Sequence, residues 1–285
     1  MMNIVKISGA LLAITLYLSA CTKDKQTEAY SVEEDVVLKD VSYGDHEQQR
    51  MDVYLPAGRN RNDTKMFVFI HGGGWTGGDK GDLQFTDDSF QALKAQFPAF
   101  AFVNLNYRLV AGEDNRYPAA ENDVKQAMNY LYRQLESYQL SSNTYLAGGS
   151  AGAHLAALHT LKNNENDHIK GCIAIAGVYD MVSLYEQGGP EARQIVAGFM
   201  GGTPADQADR YAQASPVNFI TPSSAKFLLM HGMEDALVPV SQAYEFRDAL
   251  AAHGVDYTEF TYSGGHGIPP EHLVEAFEHI AAFLR

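Results

Sequence analysis

Apolar residues along this chain gather in short continuous runs that stop at glycine-rich turns. Met66–Ile70, Ala99–Leu105, Thr144–Ala147, Gly171–Ala176 and Phe227–Met230 are apolar at successive positions rather than at every second one. That pattern predicts parallel strands covered by helices on both faces. Val36–Tyr43 and Arg50–Leu55 read as an antiparallel N-terminal pair, and the more alternating Asp256–Tyr262 suits a strand near the sheet edge. Helical spacing appears between the runs. Val124, Met128, Leu131 and Leu135 form one stripe after Pro118, and Ala243, Phe246, Ala249 and Leu250 form another, with Gly254 placed to end it. Leu273, Phe277, Ile280 and Leu284 line a C-terminal helix that begins near Pro269–Pro270 and holds both His272 and His279. The alternation predicts an α/β fold, one doubly wound and mostly parallel sheet spanning residues 35–285. Residues 178–225 break the rhythm with Gly188–Gly189–Pro190, Gly201–Gly202 and Pro204. They are expected to form a small cap inserted over the strand ends.

The first 34 residues differ in kind. Lys6 precedes an apolar stretch, Ile7–Leu18, too short to cross a bilayer comfortably, which reads as a signal peptide over residues 1–20. It ends in Leu18–Ser19–Ala20–Cys21, which resembles the lipobox of bacterial lipoproteins. The resemblance implies cleavage before Cys21, lipid attachment to that cysteine, and a place in the bacterial cell envelope, on the periplasmic or surface side of the outer membrane. Residues 21–34 are polar and aperiodic, as expected of a lipidated tether. The net charge of −14 and the lack of a basic patch argue against a nucleic-acid partner and against electrostatic adhesion to anionic lipid. The two cysteines, Cys21 and Cys172, make no disulfide framework, and Cys172 lies in an apolar run that suits a buried thiol.

Chemistry concentrates in four glycine-containing turns that follow predicted strands. Gly148–Gly149–Ser150–Ala151–Gly152 fits the nucleophile elbow, G-x-S-x-G, between a predicted strand and a predicted helix over Ala151–Leu161. A serine on so tight a turn is forced into unfavourable backbone angles, and small neighbours let strand and helix approach. His71–Gly72–Gly73–Gly74–Trp75 follows another strand. Successive glycines expose backbone N–H groups, so Gly73 and Gly74 are candidates to join the N–H of Ala151 in an oxyanion hole. His71 is expected to hold that loop rather than act as a base. The third turn is His231–Gly232–Met233–Glu234–Asp235. Asp235 sits at a strand end where a supporting acid belongs, with Glu234 its neighbouring rival and Asp180 a distant one. Of the histidines beyond Asp235, only His266 stands in a glycine-rich loop, Gly264–Gly265–His266–Gly267, after the last strand. No H-E-x-x-H is present, so no metal or other cofactor is expected.

Together these segments resemble the esterase-type α/β-hydrolases, in particular the HGGGW-bearing secreted esterases related to acetylxylan and feruloyl esterases and to the hormone-sensitive lipase-like group. Val41–Ser42–Tyr43–Gly44, Asp52–Val53–Tyr54–Leu55–Pro56, Asn106–Tyr107–Arg108 and Tyr117–Pro118–Ala119–Ala120 add to the likeness, which runs from about residue 36 to the C-terminus. The resemblance favours Asp235 among the acids. It implies a serine carboxylesterase acting through Ser150, His266 and Asp235 on short acyl esters of small molecules or polysaccharides. Two other readings compete. One is a prolyl-oligopeptidase-like serine peptidase, which shares the fold but normally carries a propeller. The other is a catalytically inactive binding module, which normally lacks part of the triad. Trp75, Tyr179 and Tyr185 are candidates for a sugar-binding rim, with buried packing the default for each.

Overall fold

The computed structural model describes residues 30–82 and 94–285. The signal peptide and Cys21 lie outside the described residues. Eight strands form one sheet: β1 (Val36–Ser42), β2 (Arg50–Leu55), β3 (Lys65–Ile70), β4 (Phe100–Leu105), β5 (Thr144–Gly149), β6 (Ile169–Ile175), β7 (Lys226–Gly232) and β8 (Tyr257–Tyr262). Their spatial order is β1-β2-β4-β3-β5-β6-β7-β8. The first two pairings, β1 with β2 and β2 with β4, are antiparallel; every later one is parallel. This is the α/β-hydrolase fold, with the expected N-terminal hairpin at one edge and β8 at the other.

The helices of the described residues are α1 (Ala119–Arg133), α2 (Leu135–Tyr138), α3 (Ala151–Lys162), α4 (Met181–Gln187), α5 (Pro190–Met200), α6 (Ala208–Ala214), α7 (Ser241–Ala252) and α8 (Leu273–Leu284). Val124 and Leu131 of α1, Leu155 and Leu158 of α3 and Phe246 and Leu250 of α7 share a core with Val68, Val103 and Leu146 on one face of the sheet. Phe283 and Leu284 of α8 pack with Phe102, Tyr145 and Leu228 on the other. Residues Ala151–Thr160 of α3 are all buried, which is why that helix has no polar face to read in the sequence.

Three expectations shift. The stripe from Val124 to Leu135 does not lie on one helix. The chain bends at Gln134, and the short α2 ends at Gln139 with φ +54°. That bend brings the Tyr138 carbonyl to the Arg59 guanidinium, whose Nε donates to it at 2.8 Å. Arg59 also donates to the carbonyls of Tyr30 (3.1 Å) and Ser31 (2.6 Å), while the Tyr30 N–H bonds the Ser137 carbonyl at 3.0 Å. Residues 30–34, expected as the end of a tether, are therefore held against the domain. His272 closes a 3-10 turn, Pro270–His272, just before α8 rather than lying inside it. Between β6 and β7, residues 178–225 carry α4, α5, α6 and a 3-10 turn at Pro216–Phe219. The glycines that broke the periodicity stand mostly at helix ends: Gly188 and Gly189 cap α4 and α5, and Gly201 ends α5 with φ +79°.

Candidate active site

In a parallel sheet the loops that gather ligands leave the carboxyl ends of the strands. Here β3 runs into Gly72–Gly74, β5 into Ser150, β7 into the Asp235 loop and β8 into the His266 loop. Four segments distant in sequence thus meet because their strands are neighbours or nearly so.

Ser150 joins β5 to α3 with φ +53° and ψ −119°, a conformation that L residues rarely adopt. The surroundings enforce it. Ser150 N–H donates to the Ile175 carbonyl at 2.8 Å. A Cβ on Gly148 would lie 2.4 Å from the Gly152 carbonyl carbon, and one on Gly152 would lie 2.1 Å from the Ile70 carbonyl oxygen. Only glycine lets β5, α3 and β3 close so tightly that the serine hydroxyl is pushed out.

The hydroxyl faces His266. Its Oγ lies 2.9 Å from His266 Nε2, and His266 Nδ1 lies 2.7 Å from Asp235 Oδ2. The carboxyl is fully buried, whereas the imidazole is about a quarter exposed. Asp235 Oδ1 accepts from the N–H groups of Leu237 and Val238, both at 2.9 Å. Burial pushes the acidity of Asp235 toward the neutral form. Hydrogen bonds from His231, His266 and the Val238 N–H outweigh that and hold it well below the usual carboxylate range. It remains an anion beneath the imidazole.

The rival carboxylates go elsewhere. Glu234 accepts from the Gly264 N–H, and its own N–H donates to the Gly264 carbonyl, tying the acid loop to the histidine loop. Gly232 permits that closeness, since a Cβ there would meet the Gly265 carbonyl at 2.2 Å. Asp180 caps α4, accepting from Val182 N–H at 2.9 Å and Ser183 N–H at 3.0 Å.

The glycine loop closes a third side. Gly73 has φ +101°, and a Cβ there would strike the Gly77 carbonyl oxygen at 2.2 Å. Gly74 has φ +59°, and its missing Cβ would lie 3.2 Å from Ile195 Cγ2 of α5. Both line the same cavity as Ser150 and His266. Ala151 is the first residue of α3, and the opening N–H groups of a helix have no partner within it. His71 stacks on Tyr107 with ring centroids 4.4 Å apart, and its Nδ1 lies 2.8 Å from the Gly72 carbonyl. It braces the loop and does not face Ser150.

The cavity measures about 480 Å³; Val178, Leu184, Ile195, Val196 and Leu237 give it an apolar wall, with Glu191 and Thr76 also lining it. Trp75 also lines it but is almost wholly buried, stacked on Phe199. Tyr179 is buried against Phe246, and Tyr185 meets Tyr211 edge to face. Neither tyrosine lines the cavity. Among the described residues, no group of three or more His, Cys, Asp or Glu side chains could hold a metal ion. Cys172 is fully buried, which pushes its thiol up to about 12 and leaves it inert.

Two buried polar residues were given no role in the sequence. His231 lies with Nε2 2.9 Å from the Val238 carbonyl and 3.4 Å from Asp235 Oδ2. Its place at the end of β7, directly before Gly232, was the available signal. Asp123 is the other: fully buried, it receives two guanidinium nitrogens and the backbone N–H of Arg108 at 2.7–3.0 Å and a bond from Gln49 at 2.7 Å. That cluster pins α1 to the Asn106–Tyr107–Arg108 segment.

The sheet order and the strained serine define an α/β-hydrolase with a nucleophile elbow. Within that class the chain belongs to the BD-FAE family, whose model matches residues 51–250. It is 26% identical to Esterase LipC of Mycobacterium tuberculosis over 243 residues, covering 80% of this chain and 59% of LipC. It is similar to the bifunctional GH43-CE protein of Bacteroides eggerthii at 26% identity and a TM-score of 0.71, covering 87% of this chain and 38% of that one. It also shares its fold with a truncated carbohydrate esterase from gut microbiota at 21% identity and a TM-score of 0.73, covering 90% and 100% of the two chains. The chain spans less than two thirds of the length of LipC and of the B. eggerthii protein.

Proposed function

We propose that this protein is a serine carboxylesterase that removes short acyl groups, principally from carbohydrates, through an acyl-enzyme. The reading rests on the hydrogen-bonded row from Ser150 through His266 to Asp235. Ser150 Oγ attacks the ester carbonyl while His266 Nε2 takes its proton, and Asp235 orients the imidazole and stabilises the cation that forms. The N–H groups of Gly73, Gly74 and Ala151 receive the oxyanion. His266 then protonates the leaving alcohol, and a water molecule repeats the sequence to free the acid. The apolar wall of Val178, Leu184, Ile195, Val196 and Leu237 suits the hydrocarbon part of an acyl group. The carbohydrate part of the reading draws on the likeness of the motifs to acetylxylan and feruloyl esterases and on the similarity to the GH43-CE protein.

A fluorophosphonate should label Ser150 and leave a Ser150→Ala variant unlabelled. Turnover of nitrophenyl esters from acetate to palmitate, run beside acetylated xylan, tests the rest. Release of acetate from xylan supports the full reading. Ester turnover with no activity on any acylated glycan removes the carbohydrate part, and amide cleavage with poor ester turnover would favour a peptidase.

We also propose that Cys21 carries a lipid that holds the enzyme at the bacterial cell envelope. Cys21→Ala should then move the protein from the membrane fraction to the soluble one when it is expressed in a bacterium. Equal membrane retention of both forms would end that proposal.

A further inference from the structure

Trp75 is the only tryptophan of the chain, and it directly follows Gly73 and Gly74, which line the cavity. Its backbone is held at φ +59°, its carbonyl accepts from Val110 N–H at 2.9 Å, and its ring lies flat on Phe199 of α5, with centroids 4.4 Å apart and planes 5° from parallel. The indole N–H points the other way, toward Nδ1 of His154 at 3.3 Å. His154 is fully buried on α3, one turn after the serine, and its backbone N–H donates to the Ser150 carbonyl at 3.0 Å. Its other ring nitrogen, Nε2, lies 2.7 Å from the Ala214 carbonyl at the end of α6.

These contacts fix the state of the imidazole. The indole can only donate, so Nδ1 must offer a lone pair; the Ala214 carbonyl can only accept, so Nε2 must carry the hydrogen. A second proton would set one N–H against another. Burial lowers the pKa of His154 to about 4, which keeps the ring in the single neutral tautomer that satisfies both partners. The helix that begins at the serine thus grips the residue next to Gly73 and Gly74.

We propose that His154 is a positioning residue for the esterase reaction: by holding the Trp75 indole from α3, it sets the Gly73 and Gly74 N–H groups relative to Ser150. This rests on the function proposed above. Nucleophile and oxyanion loop leave neighbouring strands, β5 and β3, whose ladder runs as far as Gly148 and Ile70, so the turns beyond it gain from a further link. His154 supplies it from the same rigid helix. The contact acts on a geometry that matters most when charge develops on the substrate oxygen, so its loss should lower kcat and leave KM almost unchanged.

Three variants separate this role from simple core packing. Asparagine at 154 places an amide oxygen near the position of Nδ1 and keeps an acceptor for the indole; glutamine reaches toward the Nε2 position and abandons it. Trp75→Phe removes the N–H while keeping a ring against Phe199. His154→Gln and Trp75→Phe should each lower kcat on nitrophenyl acetate by roughly 10- to 100-fold, the double variant should be no worse than either, and His154→Asn should recover most of the rate. Trp75 fluorescence, from the sole tryptophan, should shift in His154→Gln and remain near wild type in His154→Asn. Unchanged kcat in Trp75→Phe, or losses that multiply in the double variant, would overturn the proposal, as would equal emission spectra in the two His154 variants. Should His154→Gln fail to fold, Trp75→Phe carries the kinetic test by itself. Wild-type protein with no activity on any ester would refute the proposed function instead, and the emission spectra would still report whether His154 holds Trp75.

Discussion

Oδ2 of Asp235 faces two imidazoles, His266 at 2.7 Å and His231 at 3.4 Å, so one buried oxygen serves both the histidine beside Ser150 and a second one beneath it. Substituting Asp235→Asn places an amide where the anion stood and disfavours the His266 tautomer that accepts the serine proton. The expected loss in kcat is about 10⁴-fold. His231→Phe removes that longer contact together with the bond to the Val238 carbonyl, and should lower kcat by roughly tenfold. Steady-state kinetics on a nitrophenyl ester decide both, and a His231 loss as large as that of Asp235 would show that the two imidazoles act as one unit.

Gly73→Ala should damage catalysis more than stability. The added methyl would meet the Gly77 carbonyl at 2.2 Å, and the φ of +101° is strained for any other residue. The loop must shift, taking with it one of the N–H groups proposed to receive the oxyanion, at an expected 10²- to 10³-fold in kcat. If kcat holds while Tm falls, the loop contributes structure and no donor.

Stability should fall in mild acid. Burial lowers His154 to about 4 and His159 to about 3, from ordinary values near 6.5. Each therefore binds a proton more readily unfolded than folded, so stability is whole above about pH 7 and drains away as pH falls through 6.5 toward those folded values. Between pH 7.5 and pH 5 each should cost about 2 kcal/mol. Asp235, with its pKa held down, adds a loss in the same direction only below about pH 4. Urea denaturation at the two pH values measures the difference, and His159→Leu should remove about half of it. Equal midpoint and slope at both would contradict the burial of neutral rings.

Asp123→Ala should unfold the protein more easily without touching the chemistry. The carboxylate is fully buried and satisfies Arg108 and Gln49 together, so its removal strands a guanidinium that is only partly open to water. The expected loss is roughly 3 kcal/mol. Denaturant midpoints measure it, while kcat of the folded fraction should change little.

Much of the architecture was readable because parallel strands buried on both faces leave continuous apolar runs. Met66–Ile70 and Phe227–Met230 announce β3 and β7 without help from the rest of the chain. The alternation of Asp256–Tyr262 likewise reflects an edge strand, β8. What the sequence could not carry were contacts between segments far apart in it. Nothing near Gln134 says that the helix must break there, and the partner that then meets the Tyr138 carbonyl, Arg59, lies far upstream in the chain. Asp235, Glu234 and Asp180 are three carboxylates near strand ends, and only their partners separate them: an imidazole, a loop N–H and a helix start. His154 was legible as a histidine inside a helix, yet its meaning depends on an indole from the turn after β3.

The clasp at Arg59 also has a directional result. Tyr30 and Ser31 are held beside Tyr138, and the chain that follows, at Ser141 and Asn143, bonds Thr64 and Met66 where β3 and β5 begin. Ser150, Asp235 and His266 lie where strands finish. Tyr30 therefore sits at the floor of the molecule, so any surface joined to the fold there would face away from the mouth that holds Ser150.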